Sequence, residues 1–296
     1  MPVGPTVSFE LFPPRGNEEI IWGRMMRMAE AHPDYFTVTY GASGASREGS
    51  DKLIRRLLDE TSIPVVAHVI CVGISRKGVR DRIAGLFDAG VTDFLALRGD
   101  PPADARLERV TDEIPTSVDL VRMIREMQAE RGIKEATVAV AAYPSGRHHG
   151  PGEFEALLAK EAAGADRAIT QVFYDAEEYA SFVSGARAHG ITIPIVPGIL
   201  PLTDRARLKR LYDLSGVAVP ATLDALLSTD DDTVRLRRGV DATLALLDRV
   251  LAVNAPGIHL YTFNRDHPAI DVLAHMRERG LENPAYLAVR HAAVSE

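Results

Sequence analysis

Short runs of β-prone residues recur along the chain, and segments with helical periodicity separate them. Eight such runs are present, at 6–11, 35–40, 65–69, 94–97, 137–142, 168–173, 193–196 and 258–261. Several are apolar without strict alternation, as expected for parallel strands that are buried on both faces. The first four begin about 30 residues apart, the length of one strand–helix unit. Eight such units predict an α/β protein folded as one (βα)8 TIM-type barrel, a single domain over residues 1–296.

Residues suited to helix ends mark several of the intervening helices. Asn17, Ser75 and Ser117 are candidate N-caps, and Gly90 is suited to the position after a helix. Besides the helix that opens at Ser75, the predicted helices are 18–31, 118–130, 152–162, 176–188, 204–211, 232–253 and 269–279. Segment 101–116 is interpreted as an extended loop. The competing doubly wound sheet usually carries Gly-x-Gly-x-x-Gly after its first strand, whereas this chain has Glu-Leu-Phe-Pro-Pro there.

Composition excludes several classes of function. The chain has 34 Lys and Arg against 41 Asp and Glu, a net charge of −7, and no basic stripe that would suit nucleic acid. Cys71 is the only cysteine, which rules out an internal disulfide or a thiolate zinc site. The apolar stretch 65–72 is too short to span a bilayer. The first basic residue is Arg15, which does not fit a signal peptide. We therefore expect a cytoplasmic protein that binds neither membrane nor metal.

Polar side chains follow nearly every predicted strand at its carboxyl end, where the active sites of such barrels lie. They include Glu10, Thr39, Tyr40, His68, Arg98, Asp100, Tyr143, Gln171, Tyr174, Asn264 and Arg265. Glu10 has apolar neighbours at 9, 11 and 12, which favour the protonated carboxyl that a general acid needs. The residues alone leave alternatives open: an ion pair of Glu10 with an arginine, a capping role for Asp100, and a bond from His68 to a backbone carbonyl.

Seven segments, taken together, resemble the methylenetetrahydrofolate reductase family. They are SFELFPPR at 8–15, VTYGA at 38–42, ALRGDP at 96–101, AAYP at 141–144, AITQVFYD at 168–175, PGILP at 197–201 and HLYTFNR at 259–265. They follow the family's order over nearly the whole chain, which resembles the catalytic barrel alone. The resemblance implies reduction of 5,10-methylenetetrahydrofolate to 5-methyltetrahydrofolate by NADH or NADPH.

The resemblance also implies roles for particular residues. Glu10 would be the general acid that helps open the substrate's imidazolidine ring to an iminium, and Asp100 would contact the pterin and balance positive charge. Gln171 would contact folate and nicotinamide, Tyr174 would lie on the substrate side, and Arg265 would bind the anionic folate tail. The positions that hold flavin or nicotinamide in the family are Thr39, Tyr40, Ala42, His68, Arg98, Gly99, Asp100, Tyr143 and Lys160.

The helix after the fifth strand departs from the family. There the family supplies an Asn, a Lys and an Arg before a final Lys, which hold the diphosphate and ribose of the flavin. Here Ala156, Leu158 and Ala159 replace the first three, and Lys160 remains. A diphosphate normally needs charge-assisted donors, so we expect FAD to bind poorly or not at all. The alternatives are an FAD-dependent reductase, a pterin-binding methyltransferase, and a folate-binding barrel without activity.

Overall fold

The computed structural model describes residues 5–40, 47–100, 110 and 112–281. Within them the strands are β1 (Thr6–Leu11), β2 (Tyr35–Val38), β3 (Val65–Ile70), β4 (Asp93–Leu97), β5 (Thr137–Ala142), β6 (Arg167–Thr170), β7 (Ile195–Val196), β8 (Gly198–Ile199) and β9 (Gly257–Tyr261). The helices are α1 (Glu18–Glu30), α2 (Arg47–Glu60), α3 (Arg76–Asp88), α4 (Ser117–Glu130), α5 (Glu153–Ala162), α6 (Ala176–Ala188), α7 (Arg205–Ser215), α8 (Ala221–Leu226), α9 (Asp232–Ala252) and α10 (Asp266–Glu278). The strands form one sheet in the order β7-β6-β5-β4-β3-β2-β1-β9-β8.

The sheet closes on itself at Pro197. This residue separates β7 from β8, two halves of one strand; β7 pairs with β6 and β8 pairs with β9, all in parallel. Proline has no N–H to donate to a ladder, but the Pro197 carbonyl accepts from the backbone N–H of His259 at 2.9 Å. The strand therefore bridges the two edges of the sheet, and the predicted (βα)8 barrel is confirmed. The extension of the domain to residue 296 stays a prediction, because 282–296 lie outside the described residues.

Two apolar clusters lie on opposite faces of the barrel wall. The larger packs the outer face of the strands under the helices and includes Phe9, Phe36 and Phe94. The smaller takes one residue from each of six strands: Tyr35, Val66, Leu95, Ala139, Ile169 and Val196. Successive residues of a strand point to opposite faces, so the smaller cluster fills the interior. Ser8 and Glu10 of β1 pair in register with Tyr35 and Thr37, which places Glu10 one layer above this apolar floor.

Two of the three predicted helix caps are confirmed. Asn17 accepts a hydrogen bond from the N–H of Ile20 and Ser75 from that of Gly78, as predicted. The cap of α4 is Thr116, whose hydroxyl oxygen accepts from the N–H of Asp119; the prediction of Ser117 as the cap was wrong by one residue. Helices α2 and α8 are not among the helices predicted from the sequence. In α2 the buried residues form only a narrow stripe, and charged residues surround it.

Strand β6 ends at Thr170, three residues earlier than predicted, and on its β7 side the backbone pairing ends at Ile169, where side chains take over. The hydroxyl oxygen of Thr170 accepts from the backbone N–H of Gly198 at 2.9 Å. The carbonyl of Thr170 accepts from the hydroxyl of Tyr261 at 2.8 Å. Val172 and Phe173, which carry the β-prone pattern, are buried beyond the end of the strand. Of the predicted loop at 101–116, residues 101–109 and 111 lie outside the described residues.

Replacing Gly198 by alanine is expected to destabilise the barrel where it closes. A Cβ atom at this position would lie 2.2 Å from the Thr170 carbonyl oxygen and 2.7 Å from the Tyr261 ring. Overpacking of this kind lowers the free energy of unfolding by roughly 1–3 kcal/mol. Gly85→Ala in α3 is the control, because its Cβ would meet nothing within 4 Å and alanine favours a helix by roughly 0.5–1 kcal/mol. Urea denaturation checks both, and equal stability of the two variants would contradict the assignment.

Candidate active site

A carboxyl group lies between two imidazole rings inside the barrel. Glu10 Oε2 is 3.8 Å from His68 Nε2 on β3 and 3.8 Å from His259 Nε2 on β9. All three residues are buried, and both histidine Nε2 atoms lack a hydrogen-bond partner among the described residues. Glu10 thus contacts imidazoles, not the guanidinium that one alternative required. The distances are too long for hydrogen bonds, so this carboxyl has both imidazoles nearby without being bonded to either.

His68 is uncharged at neutral pH. Burial lowers the pKa of His68 to about 4; the Glu10 charge opposes this shift and His259 adds to it. A neutral imidazole has no charge to pair with a carboxylate, so His68 forms no ion pair with Glu10 at neutral pH. One alternative from the sequence was a hydrogen bond from His68 to a backbone carbonyl. His68 Nε2 makes no such bond to the described residues.

His259 is oriented by a residue of the neighbouring strand. Its Nδ1 lies 2.9 Å from the hydroxyl oxygen of Ser8, within hydrogen-bonding distance, and the two residues face each other in the β1–β9 register. Its ring meets the Tyr261 ring edge-on with centroids 5.0 Å apart. Burial raises the pKa of Tyr261 well above its ordinary value, and Glu10 and Tyr143 act in the same direction. Neither His259 nor Tyr261 was predicted from the sequence as a site residue, although their spacing of two on one strand places them on the same face.

Tyr143 and Lys160 form a second group, at the end of β5. The backbone N–H of Tyr143 donates to Glu153 Oε1 at 2.9 Å, and burial raises the pKa of the Tyr143 hydroxyl to about 12. Lys160 is buried, and its Nζ donates to the Ala141 carbonyl at 2.8 Å and lies 5.7 Å from the Tyr143 ring centroid. Burial lowers the pKa of Lys160, and Glu153 opposes that shift. Lys160 therefore points inward, to the backbone of the barrel wall.

The predicted residues after β2 are only partly described. Thr39 is buried, and its hydroxyl has no partner among the described residues, while its carbonyl accepts from the Ser50 hydroxyl at 2.8 Å. The Tyr40 ring lies under the Arg82 guanidinium at 4.3 Å, and Arg82 pairs with Asp51 at 2.6 Å. This packing fixes Tyr40 in place against α2 and α3. Ala42 lies outside the described residues.

The segment after β4 contains two exposed charges on either side of a constrained glycine. Arg98 and Asp100 are exposed. Gly99 has φ +84°, and a Cβ there would lie 2.9 Å from Val72 Cγ1. Only glycine fits this turn without strain. The structure thus places the Asp100 carboxylate at the solvent-facing edge of the mouth, and Asp100 contributes to raising the pKa of Tyr143.

The residues after β6 offer one amide and one phenol. The carboxamide oxygen of Gln171 accepts from the N–H of Val172 at 2.9 Å, which leaves its NH₂ group as the donor for a ligand. The hydroxyl of Tyr174 is buried with no partner among the described residues, and burial raises the pKa of this phenol to about 12. A buried hydroxyl without a partner costs free energy, so Tyr174 is a group that a bound ligand can satisfy.

The rim beside β1 and β9 combines aromatic rings with a cation. The side chain of Asn264 accepts from the N–H of Phe12 and donates to its carbonyl, both at 2.8 Å. The Phe12 and Phe263 rings stack with centroids 5.1 Å apart. Arg265 is half exposed, with Nη2 3.9 Å from Asp204 Oδ2. The hydrogen bonds of Asn264 thus join the carboxyl ends of β1 and β9, and Arg265 lies at the edge of the barrel mouth.

The described residues provide neither a reactive thiol, nor a metal site, nor a membrane-spanning helix. Cys71 is buried, and burial raises the pKa of its thiol to about 11, which makes it a poor nucleophile. In the described part of the chain no group of three or more His, Cys, Asp or Glu is placed to hold a metal ion. Among those same residues, no helix has both the length and the apolar character needed to cross a bilayer.

Acidification is expected to destabilise the protein through His68. The folded pKa of about 4 lies below the ordinary 6.5, so the unfolded chain takes up the proton first. The contribution is fully present above pH 6.5 and is lost as the pH falls toward 4, up to roughly 3 kcal/mol. His68→Gln should flatten this part of the stability–pH curve in urea titrations, and the exposed His148→Gln should not. Equal slopes for wild type and His68→Gln would refute the buried neutral imidazole.

The chain is similar to known proteins over nearly its whole length. The family model of methylenetetrahydrofolate reductase matches residues 3–277. The chain is 32% identical to 5,10-methylenetetrahydrofolate reductase of Escherichia coli K12 over 88% of this chain and 86% of that protein. It is 29% identical to methylenetetrahydrofolate reductase (NADH) 1 of Zea mays, over 91% of this chain and 48% of that protein.

Among solved structures, an uncharacterized protein from Clostridium thermocellum, which binds two copies of 5-methyl-5,6,7,8-tetrahydrofolic acid, has a TM-score of 0.66. It is 15% identical and covers 91% of this chain and 94% of its own, so the likeness is one of fold. The match of the family model over nearly the whole chain, together with the identity to the Escherichia coli enzyme, shows that this protein belongs to the methylenetetrahydrofolate reductase family.

Proposed function

We propose that this protein reduces 5,10-methylenetetrahydrofolate to 5-methyltetrahydrofolate by direct hydride transfer from NADH or NADPH, without a bound flavin. The observation that carries the proposal is the buried carboxyl of Glu10 between the imidazoles of His68 and His259. The bacterial and plant relatives bear the name of this reductase, the plant ones with NADH. A protein of similar fold binds the product, 5-methyltetrahydrofolate.

Glu10 supplies the proton in this reaction. The protonated carboxyl gives its proton to N10 of the substrate while the bond from N10 to the methylene carbon breaks, which leaves an iminium at N5. The resulting Glu10 carboxylate then faces that cation in a buried site, where opposite charges attract strongly. The Asp100 carboxylate adds negative charge at the rim. Hydride from the dihydronicotinamide adds to the methylene carbon, giving the N5-methyl product and the oxidised nicotinamide.

The two histidines form the walls of the pocket around Glu10. His68 is neutral at pH 7 because burial lowers its pKa to about 4, so it does not form an ion pair that would hold the carboxyl ionised. His259 is held by the Ser8 hydroxyl at 2.9 Å and forms the other wall of the pocket. Gln171 and Tyr174 offer an amide NH₂ and a phenol to the folate.

The described residues of α5 do not fit the diphosphate of FAD. Ala156 is exposed and uncharged, and Leu158 is 41% exposed, an apolar side chain on the face where the family carries charge. Lys160 is committed to the Ala141 carbonyl at 2.8 Å. A dianionic diphosphate without charge-assisted donors binds weakly. The space beside Tyr40, His68 and Tyr143 then receives the nicotinamide, whose C4 must come within about 3–3.5 Å of the methylene carbon.

Replacing Glu10 by glutamine is expected to lower folate reduction by roughly 10²-fold or more, because glutamine keeps the shape but cannot donate the proton. The matched control is Glu161→Gln on α5; its carboxylate accepts from the N–H of Thr192 at 3.1 Å, ahead of β7 and away from the mouth. NADH oxidation in the presence of methylenetetrahydrofolate measures both. Unchanged turnover in Glu10→Gln would remove Glu10 from the mechanism, and retained folate binding without any turnover in wild type would favour a non-catalytic folate-binding barrel.

Direct hydride transfer predicts a ternary complex. Both substrates must be bound together, so initial-rate plots at varied folate and NADH should intersect. The purified protein should show no flavin absorption band, and added FAD should leave the rate unchanged. Parallel plots with stimulation by FAD would identify an ordinary FAD-dependent reductase. Methyl transfer to a thiol or corrinoid without NADH oxidation would identify a methyltransferase, which the poorly nucleophilic Cys71 does not favour.

A further inference from the structure

A second arginine stands beside Arg265 at the rim. Arg207 lies in the first turn of α7, with its guanidinium 5.3 Å from the ring centroid of Phe263. Phe263 in turn stacks on Phe12. The side chain of Arg207 is only 22% exposed, whereas that of Arg265 is 49% exposed. The arginine pair therefore borders an aromatic surface at the carboxyl ends of β1 and β9, which is the mouth that contains Glu10.

The two guanidiniums share one carboxylate, and neither is hydrogen-bonded to it. Asp204 Oδ2 is 3.6 Å from Arg207 Nε and 3.9 Å from Arg265 Nη2, both beyond hydrogen-bonding distance. The other oxygen, Oδ1, caps α7 by accepting from the N–H groups of Ala206 and Arg207. Burial lowers the pKa of Arg207, the nearby charge of Arg265 adds to this, and Asp204 opposes it. Two guanidiniums against one carboxylate leave this group with an excess of one positive charge.

The composition of this rim matches one class of ligand. Each guanidinium binds a carboxylate through two parallel N–H···O bonds, so a pair of them suits a dicarboxylate. A flat aromatic group that precedes the carboxylates can pack against Phe12 and Phe263. We propose that Arg207 acts with Arg265 as a clamp for the two carboxylates of a glutamate attached to an aminobenzoyl ring, which makes Arg207 a specificity residue for the folate tail. This inference rests on the proposed function.

The experiment measures binding, not turnover. Calorimetric titration with 5-methyltetrahydrofolate is compared with titration by 5-methyltetrahydropteroate, the same ring system without glutamate. Arg207→Gln should weaken binding of the folate by about 10-fold, the value of one lost charge-assisted contact, and should leave binding of the pteroate unchanged. Arg207→Lys keeps the positive charge but loses the two-pronged guanidinium, so its affinity for the folate should lie between those of wild type and Arg207→Gln. Arg210→Gln is the control, an exposed arginine on the same helix.

The outcomes distinguish a clamp from a purely structural arginine and from a phosphate site. If wild type binds neither probe, the proposed function fails. If wild type binds folate and Arg207→Gln binds it equally well, the clamp alone is refuted. Equal weakening for both probes would assign Arg207 a structural role and overturn the clamp, with urea denaturation showing whether the fold has suffered. A loss of NADPH affinity without loss of folate affinity would place a phosphate, not the glutamate, on Arg207 and would also overturn it.

Discussion

The closure of the sheet at Pro197 is the constraint on which the site depends. Because β7 pairs with β6 and β8 pairs with β9, a strand of two short halves joins the edges of the sheet. Strand β9 pairs with β1 on one side, and β2 separates β1 from β3 on the other. The curvature that closure imposes on these four strands brings His68 and His259 to equal distances from Glu10. Gly198 makes the junction possible, since a larger residue would collide with the Tyr261 ring and the Thr170 carbonyl.

The interior of the barrel changes from apolar to polar between two successive layers of side chains. The floor is a cluster of six mainly apolar residues that exclude water. Directly above this floor, β1, β2 and β3 contribute Glu10, Thr37 and His68, all buried. Buried polar groups are costly unless they are paired, and the hydroxyl of Thr37 and the Nε2 atoms of both histidines have no partner among the described residues. These unpartnered groups lower the free energy of unfolding, and the low pKa of His68 reflects the same burial.

The contacts of Lys160 bear on the proposed absence of a flavin. A lysine on α5 was expected to face a phosphate, and Lys160 instead reaches the backbone of β5 beside Tyr143. Glu153 at the start of the same helix holds the N–H of Tyr143, so the first and last turns of α5 both serve the barrel wall. The helix is thereby committed to positioning Tyr143, and its outer face offers an alanine and a leucine at positions 156 and 158.

Local sequence patterns were sufficient to predict the architecture, and they predict that the polar residues of the site lie at the carboxyl ends of the strands. Strand positions followed from apolar runs, helix starts from caps such as Asn17 and Ser75, and the family from seven short segments. Helix α2 was not predicted from the sequence because its buried stripe is narrow and charged residues surround it. Which side chains meet became known only from the folded barrel: Ser8 with His259, Tyr261 with Thr170, and Arg207 with Phe263. These pairs are distant in sequence and depend on register and closure, which fix distances that no local pattern encodes.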